Sequence, residues 1–433
     1  MSYKETLNRV NSLLKFGMKP GLERIRELLF RLGNPQDRLR FVHVAGTNGK
    51  GSVCTMLSCI LRQAGCKTGL FTSPYVVDFR ERMQINGKMI PRDELEQEVN
   101  RVMEIAEQMA EENLIVTEFE VVTAIALHWF AEKKCDVVVL EVGLGGRFDA
   151  TNIISTPLAS VICSISLDHT AVLGNTIEQI TFEKCGIIKH GGITVTYPNQ
   201  MDEALCVIMR RAAEEENTLL MGNMNAAEVN HEDIFGTSVC YGGMNIHIPF
   251  AGKHQIANAI TVIETAKALC RLGIPIRDEH IIAGIASASI PARMEILCHQ
   301  PIVLLDGAHN ADGSAVLAQS IRDYLPDKKI TAIFGMMADK DYRTAASLIA
   351  PLCSNIITVT PSNPRALPAE DLSQVVSEWC SDVAAVQSLK KALSCALDHL
   401  NEDDVLLICG SLYLAGDMRE MTLQKIKKRF SVK

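Results

Sequence analysis

Residues Val42–Ser52 read VHVAGTNGKGS, and the fold follows from this stretch. Val42, His43, Val44 and Ala45 read as the end of a buried strand, and Gly46-Thr47-Asn48-Gly49-Lys50-Gly51-Ser52 as a sharp turn. Val53–Ala64 then carries apolar residues at helical spacing. A strand, a glycine-rich turn and a helix start aim several backbone N–H groups at one point, and the helix N-terminus favours an anion there. Lys50 adds a mobile positive charge, and Ser52 a hydroxyl that can face Mg²⁺. This is a phosphate cradle, in an unusual spelling. Val44 stands where the common P-loop pattern has its first glycine, and Gly51 where Ser or Thr follows the lysine. From spacing alone, an ordinary glycine-rich strand–helix turn is the competing reading.

A chain of 433 residues suggests two or three domains, and 47% hydrophobic residues can fill sizeable cores. Lys+Arg 43 against Asp+Glu 51 leaves a net charge of −8. That argues against a duplex nucleic-acid partner, which calls for a basic face. The 14 cysteines form no C-x-x-C pair. Most sit in apolar runs, as Cys163, Cys270 and Cys409 do, and read as small buried hydrophobes in a reducing compartment. The start, MSYKETLNRV, is polar and lacks a signal-peptide core, and no uncharged run reaches the roughly 18 residues that span a membrane. A cytoplasmic protein with no membrane partner is expected.

Residues 3–33 read as two helices around Lys19-Pro20-Gly21. Apolar strands are expected at Phe41–Ala45, Lys67–Thr72, Asp136–Val142, Ala159–Ser164 and Gly192–Tyr197, with a hairpin at Met83–Ile90. Helices are expected at Arg92–Glu112, Glu118–Lys133, Thr176–Lys189, Met201–Glu216, Gln255–Leu272 and Asp278–Ser287. Residues 217–250 give only short strand-like pieces. Around Ser287–Pro301 the pattern resets. A second series of strands follows at Ile302–Asp306, Ile330–Gly335, Ile356–Thr360, Val383–Gln387 and Val405–Cys409. The expected fold class is α/β. A P-loop ATPase-like, mostly parallel sheet domain covers 1–292, and a smaller, doubly wound Rossmann-like domain covers 293–433. Ligands in such sheets sit beyond the carboxyl ends of the strands.

Several candidates fall at those strand ends. Glu141 closes a strand of Val and Leu, and is a candidate Mg²⁺ ligand or else a partner of Arg147. Asp168-His169 and Ser73 follow other strands, where structural roles compete with ligation. Lys184 lies among Ile180, Phe182, Ile187 and Ile188. A desolvated lysine there has a lowered pKa and can add CO₂ to become a carbamate. In the second half Arg293, the run Asp306-Gly307-Ala308-His309-Asn310 and Asp339-Lys340-Asp341 are candidates to close over a nucleotide, or are caps and turns.

GTNGKGS, FTSP with ERM, LEVGLGGRFDATN, LDHTAVLG, EKCGIIK, GKHQIANA, PARME, LDGAHN and GSLYLAGD occur in this order. That ordered set resembles the folylpolyglutamate synthase/dihydrofolate synthase family, within the Mur-type ATP-dependent amide ligases. The resemblance implies that Gly49, Lys50, Gly51 and Ser52 hold the ATP phosphates and a magnesium ion. It implies that Ser73, Glu141 and His169 are ligands of Mg²⁺, one of a pair of ions, with K⁺ as a candidate further ion. Lys184 matches the family's carbamylated lysine, and Lys50, Lys184 and His169 the catalytic set. Asn258, Arg293 and Asp306 match nucleotide contacts, and His309 the residue near the adenine. Pro20, Gly21 and Leu22, with Thr117, Glu118, Phe119 and Glu120 and with Phe148, Asp149 and Ala150, fall where bifunctional members bind the pterin. Residues 293–433 correspond to the glutamate-ligase domain. Three positions depart from the family: Ala292 where glycine is common, Cys185 where alanine is usual, and Tyr75 where many relatives carry histidine.

The implied reaction phosphorylates a folate-type carboxylate with ATP and lets L-glutamate displace phosphate. The implied substrate is tetrahydrofolate, its glutamylated form or dihydropteroate, and, with no large exposed apolar stripe in the sequence, a monomer is expected. A cell-wall-type UDP-linked amino-acid ligase, a P-loop phosphotransferase and a non-catalytic nucleotide binder are the alternatives.

Overall fold

The strand that feeds the glycine turn sits at the middle of its sheet because every residue in it is buried. The computed structural model describes residues 3–17, 19–398 and 400–429, so Met1 and Ser2 of the N-terminal stretch lie outside the described residues. The first sheet contains β1 (Phe41–Ala45), β2 (Thr68–Phe71), β3 (Met83–Ile85), β4 (Lys88–Met89), β5 (Val137–Glu141), β6 (Ala159–Ile162), β7 (Ile193–Thr196) and β8 (Thr218–Met221). Their order is β4-β3-β2-β5-β1-β6-β7-β8, with β1 parallel to both β5 and β6. Among its pairs only β2–β3 and β3–β4 are antiparallel, and the β3–β4 hairpin turns at Asn86 and Gly87, both at positive φ.

Alternation along β1 divides two cores. Val42 and Val44 face helices Lys50–Gln63, Lys253–Arg271 and Asp278–Ala286. Phe41 faces the opposite layer, with helices Arg92–Glu111 and Glu118–Glu132. Around the expected N-terminal helix pair, a 3₁₀ turn at Ser12–Phe16 separates helices Tyr3–Asn11 and Glu23–Arg31. The expected helix Thr176–Lys189 ends earlier, at Lys184, and tightens into a 3₁₀ turn over Cys185–Ile187.

Residues 228–248 form a three-stranded antiparallel sheet: β9 (Glu228–Asp233), β10 (Gly236–Tyr241) and β11 (Met244–Ile248). It bridges to the second lobe. Ile234 enters the core that holds Leu304 and Ala318, Phe235 stacks on His299 at 4.7 Å, and Tyr324 donates to Glu232.

The second large sheet contains β12 (Glu295–His299), β13 (Ile302–Leu305), β14 (Ile330–Phe334), β15 (Asn355–Thr358), β16 (Val383–Ala385) and β17 (Val405–Cys409), in the order β12-β13-β17-β14-β15-β16. All neighbours are parallel except the edge pair β12–β13. β12 lies where the sequence pattern only resets. Among the described residues no helix is long and apolar enough to cross a membrane.

Candidate active site

The glycine turn leaves β1 and is tied to the exit of β6. Thr47 N–H donates to Ser164 O at 2.8 Å, and Thr47 Oγ1 donates to Ser166 O at 3.1 Å. Gly49 caps helix Lys50–Gln63 at φ +86°, and a Cβ there would lie 2.5 Å from Asn258 Oδ1. Only glycine combines that left-handed φ with that approach. Asn258 is thus buried against the turn, and donates to Gln255 at 3.1 Å. Gly51 and the buried Ser52 open the helix, and a Cβ on Gly51 would stand 4.0 Å from Glu141 Oε2.

Lys50 Nζ donates to the carbonyls of Gly46 (3.0 Å) and Thr47 (3.2 Å). Lys184 ends helix Ile177–Lys184, is buried, and donates to the same Gly46 carbonyl at 2.9 Å. Burial, reinforced by the nearby Lys50 charge, lowers its pKa to about 7.

Glu141 is buried at the carboxyl end of β5, and its Oε2 accepts from Ser73 N–H at 3.1 Å. Burial raises its pKa; Lys50, the Ser73 N–H and Arg293 oppose the rise. It does not pair with Arg147, which binds Glu183 at 2.9 Å and lies over the rings of Phe148 and Phe182 at 4.3 and 5.0 Å. His169 holds φ +50° and starts the short helix Thr170–Leu173. Its Nε2 is 3.7 Å from Asp168 Oδ2. Burial lowers its pKa, and Lys340, Lys184 and Lys50 add to that against Asp168. Among the described residues no group of three or more His, Cys, Asp or Glu forms a metal centre. The set on hand is hydroxyls, one buried carboxylate and one imidazole beside a phosphate cradle. It fits Mg²⁺, which takes few protein ligands and completes its shell with phosphate and water.

The second lobe supplies the opposite wall. Asp306, at the end of β13, is buried and accepts from Met294 N–H and Ala308 N–H, both at 2.8 Å. Burial raises its pKa against Arg293. These bonds clamp the turn that bears Arg293, in which Ala292 holds φ +54°. The glycine usual in the family would adopt that left-handed φ without a Cβ penalty. His309 Nδ1 pairs with Gly307 O at 2.9 Å. Burial lowers its pKa, with Arg293 and Lys340 contributing and Asp168 opposing. The Lys340 charge thus acts on His169 of the first lobe, and the Asp168 charge on His309 of the second. Asp339 and Asp341 do structural work: Asp339 pairs with Arg365 at 2.8 Å, and Asp341 caps helix Tyr342–Ile349.

The three segments expected around a pterin adjoin. Thr117 and Glu120 form a capping box on helix Glu118–Glu132. Arg24 pairs with Glu120 at 3.1 Å and donates to Lys19 O at 2.5 Å, tying in the Pro20-Gly21-Leu22 turn. Glu118 pairs with Arg82 at 2.9 Å. The Phe119 ring packs on Gly143, where a Cβ would stand 2.4 Å from Phe119 Cζ. Asp149 is buried and caps the 3₁₀ turn Ala150–Ile153, while Phe148 is 45% exposed. The carboxylates here are engaged internally, the Phe119 ring lies against Gly143 and Phe71, and the Phe148 ring lies under Arg147. Sequence reasoning missed Arg82, which lies over the rings of Tyr75 and Phe79, as well as His43 and Thr151, which bond at 2.9 Å beneath this loop. A histidine inside an otherwise apolar strand was the available signal.

Residues 44–266 match the Mur ligase middle domain, and residues 292–412 the glutamate ligase domain of Mur ligases. The chain is 36% identical over 438 residues to the dihydrofolate synthase/folylpolyglutamate synthase of Bacillus subtilis, spanning 97% of this chain and 99% of the relative. It superposes on the Mycobacterium tuberculosis folylpolyglutamate synthase complexed with ADP and AMPPCP with a TM-score of 0.87, at 28% identity, over 97% and 99% of the two chains. Escherichia coli FolC in complex with DHPP and ADP gives 0.85, at 28% identity, over 98% of each chain.

Proposed function

Because the chain belongs to the folylpolyglutamate synthase/dihydrofolate synthase family of Mur ligases and is an ATP-dependent folate ligase, we propose that it joins L-glutamate to tetrahydrofolates, and to dihydropteroate, through an acyl phosphate. The observation that carries this is the pair of ammonium groups, Lys50 and Lys184, on the Gly46 carbonyl, with Glu141 and Ser73 on the same side and Arg293 and Asp306 from the other lobe.

A substrate carboxylate oxygen attacks the γ-phosphorus, the bond to the bridging oxygen breaks, and ADP leaves. The glutamate amine then attacks the acyl carbon, loses a proton, and expels phosphate. Gly49, Lys50, Gly51 and Ser52 cradle the phosphates through N–H groups and the ammonium, which neutralises charge as it develops. Asn258, Arg293, Asp306 and His309 position the nucleotide, and Arg293 reports closure of the lobes. A closed cleft keeps water from the acyl phosphate. Ser52, Ser73, Glu141 and His169 would hold Mg²⁺, which when bound neutralises phosphoryl oxygens.

Lys184 is assigned as the carbamylated lysine. Its neutral amine adds to CO₂, an N–C bond forms, and a proton leaves for solvent. The lowered pKa supports this, since about half of such amines are neutral near pH 7. Pro20–Leu22, Thr117–Glu120 and Phe148–Ala150 are assigned to the folate. Residues 1–292 then act as the ATP-binding domain with its folate loops, and 293–433 as the glutamate-ligase domain. Both walls of the cleft come from one chain, which supports a monomer. That none of the fourteen cysteines sits in a disulfide supports the cytoplasm. An activity series in K⁺ against Na⁺ decides a monovalent-ion requirement. The full-length folate relative speaks against the UDP-linked alternative.

The test is phosphate release from ATP with each co-substrate withheld in turn. Release should require both a folate-type carboxylate and L-glutamate, and equal release without glutamate would exclude the coupling. Dihydropteroate and tetrahydrofolate assayed side by side separate the two activities.

A further inference from the structure

We propose that His43 is a positioning residue for the folate-binding loop, acting through Thr151 on Asp149. This rests on the assignment of Phe148–Ala150 to the folate. His43 is fully buried on the face of β1 that turns away from the phosphate-loop helix, three residues before Gly46. Its Nε2 is 2.9 Å from Thr151 Oγ1, and Thr151 Oγ1 is 2.5 Å from Asp149 Oδ1. Asp149 Oδ1 also accepts from Thr151 N–H at 3.0 Å, and Oδ2 accepts from Leu144 N–H at 2.8 Å.

Proton counting gives the chain a direction. Burial raises the Asp149 pKa, but the surrounding N–H and O–H donors oppose that rise and hold it as an acceptor, so the single Thr151 hydroxyl proton points to it. Toward His43, Thr151 Oγ1 can then only accept. His43 must carry its proton on Nε2, which leaves Nδ1 bare, and Nδ1 is buried with no hydrogen-bond partner among the described residues. Burial, helped by the Lys189 charge, lowers the His43 pKa to about 3, so the ring stays neutral. A strand interior that accepts an unpaired ring nitrogen where Val would pack is retaining the Nε2–H donor for a purpose. That donor fixes the hydroxyl, which fixes the carboxylate, which holds both Leu144 and the 3₁₀ turn Ala150–Ile153. The loop between them, Gly145–Phe148, is thereby clasped at both ends to the strand that delivers the phosphate turn.

The experiment has two readouts. In ¹⁵N-histidine-labelled protein, with the His43 signal identified by its loss in His43→Gln, the ring should be the neutral Nε2–H tautomer and should not titrate across neutral pH. In steady state, His43→Phe, which keeps the ring shape and removes the donor, should raise KM for the folate substrate about tenfold while KM for ATP stays near wild type. His43→Gln, whose Nε2–H₂ can replace the donor, should recover most of that loss. An Nδ1–H tautomer, equal rises in both KM values, or a Gln variant as impaired as Phe would overturn the proposal. Absence of any folate turnover by the unaltered protein would instead overturn the folate assignment, and the tautomer would still report on the chain itself.

Discussion

Lys50 and Lys184 direct their ammonium groups at one oxygen, the carbonyl of Gly46, from 3.0 and 2.9 Å. One lysine belongs to the phosphate turn, and the other ends a helix and lies 138 residues beyond Gly46 in sequence. Two like charges on one acceptor in a buried setting disfavour each other. Lys184 is the buried member: desolvation first, and the Lys50 charge second, bring its pKa down to about 7. A lysine in that condition is a nucleophile at neutral pH, and conversion to an anion would turn the repulsion with Lys50 into attraction.

Replacing Lys184 by Ala should therefore abolish most turnover. Replacing its neighbour Cys185 by Ala should be nearly silent, since that thiol is buried and inert with its pKa pushed up to about 12. A carbon-13 resonance from labelled bicarbonate, present in wild type and missing in Lys184→Ala, identifies the carbamate. Its intensity should grow as pH rises through about 7. Full activity in the Lys184 variant would remove the carbamate from the mechanism.

The same lysine makes stability depend on pH. Its ordinary pKa is 10.5 and its folded value about 7, so between these values the unfolded chain holds a proton that the folded chain has shed. Stability should rise with pH across that window, and below it the full cost of burying the cation remains. In CO₂-free buffer, urea midpoints of wild type should climb from neutral to alkaline pH more steeply than those of Lys184→Met. Parallel slopes would show that Lys184 keeps its charge when folded.

Glu141→Gln preserves shape and the bond from Ser73 N–H but removes the carboxylate charge. Turnover should fall by about a hundredfold or more, as for removal of a preorganised charge at a transferring group. The thermal shift that Mg²⁺ adds to a non-hydrolysable ATP analogue should shrink toward that of the analogue alone. An undiminished Mg²⁺ shift would take Glu141 out of the metal site.

How far the fold could be read follows from burial. β1 (FVHVA) and β5 (VVVLE) are buried throughout and apolar but for His43 and Glu141, so their runs announce themselves. β9, EVNHED, is mostly exposed and polar, and only its pairing with β10 makes it a strand. β12 is an edge strand with a register shift, so no clean alternation survives in Glu295–His299. In the site, glycine runs and strand-end carboxylates carry local signals. The contacts that join segments do not: Phe119 on Gly143, Arg24 on Glu120 and His43 on Thr151 each link positions far apart in the chain. Only the folded chain shows that Arg82 completes the aromatic wall of the Ser73 loop.

That loop also meets the second lobe, and Gly416 decides how closely. Helix Leu412–Arg429 presses Gly416 against the loop so tightly that a Cβ would stand 2.0 Å from Val76 O. The loop backbone cannot easily retreat, because Glu81 accepts the N–H groups of Val76, Val77 and Asp78 at 2.8, 3.0 and 2.9 Å. Val76 itself packs into the core built by Leu414 and Met418. In a free helix, Gly→Ala stabilises by about 1 kcal/mol, so the sign of the effect is diagnostic. If the lobes hold this contact in solution, Gly416→Ala should lower the melting temperature, and turnover should drop because Ser73 shifts with its loop. A higher melting temperature with unchanged turnover would mean that helix and loop part during the cycle and that Gly416 serves no closure.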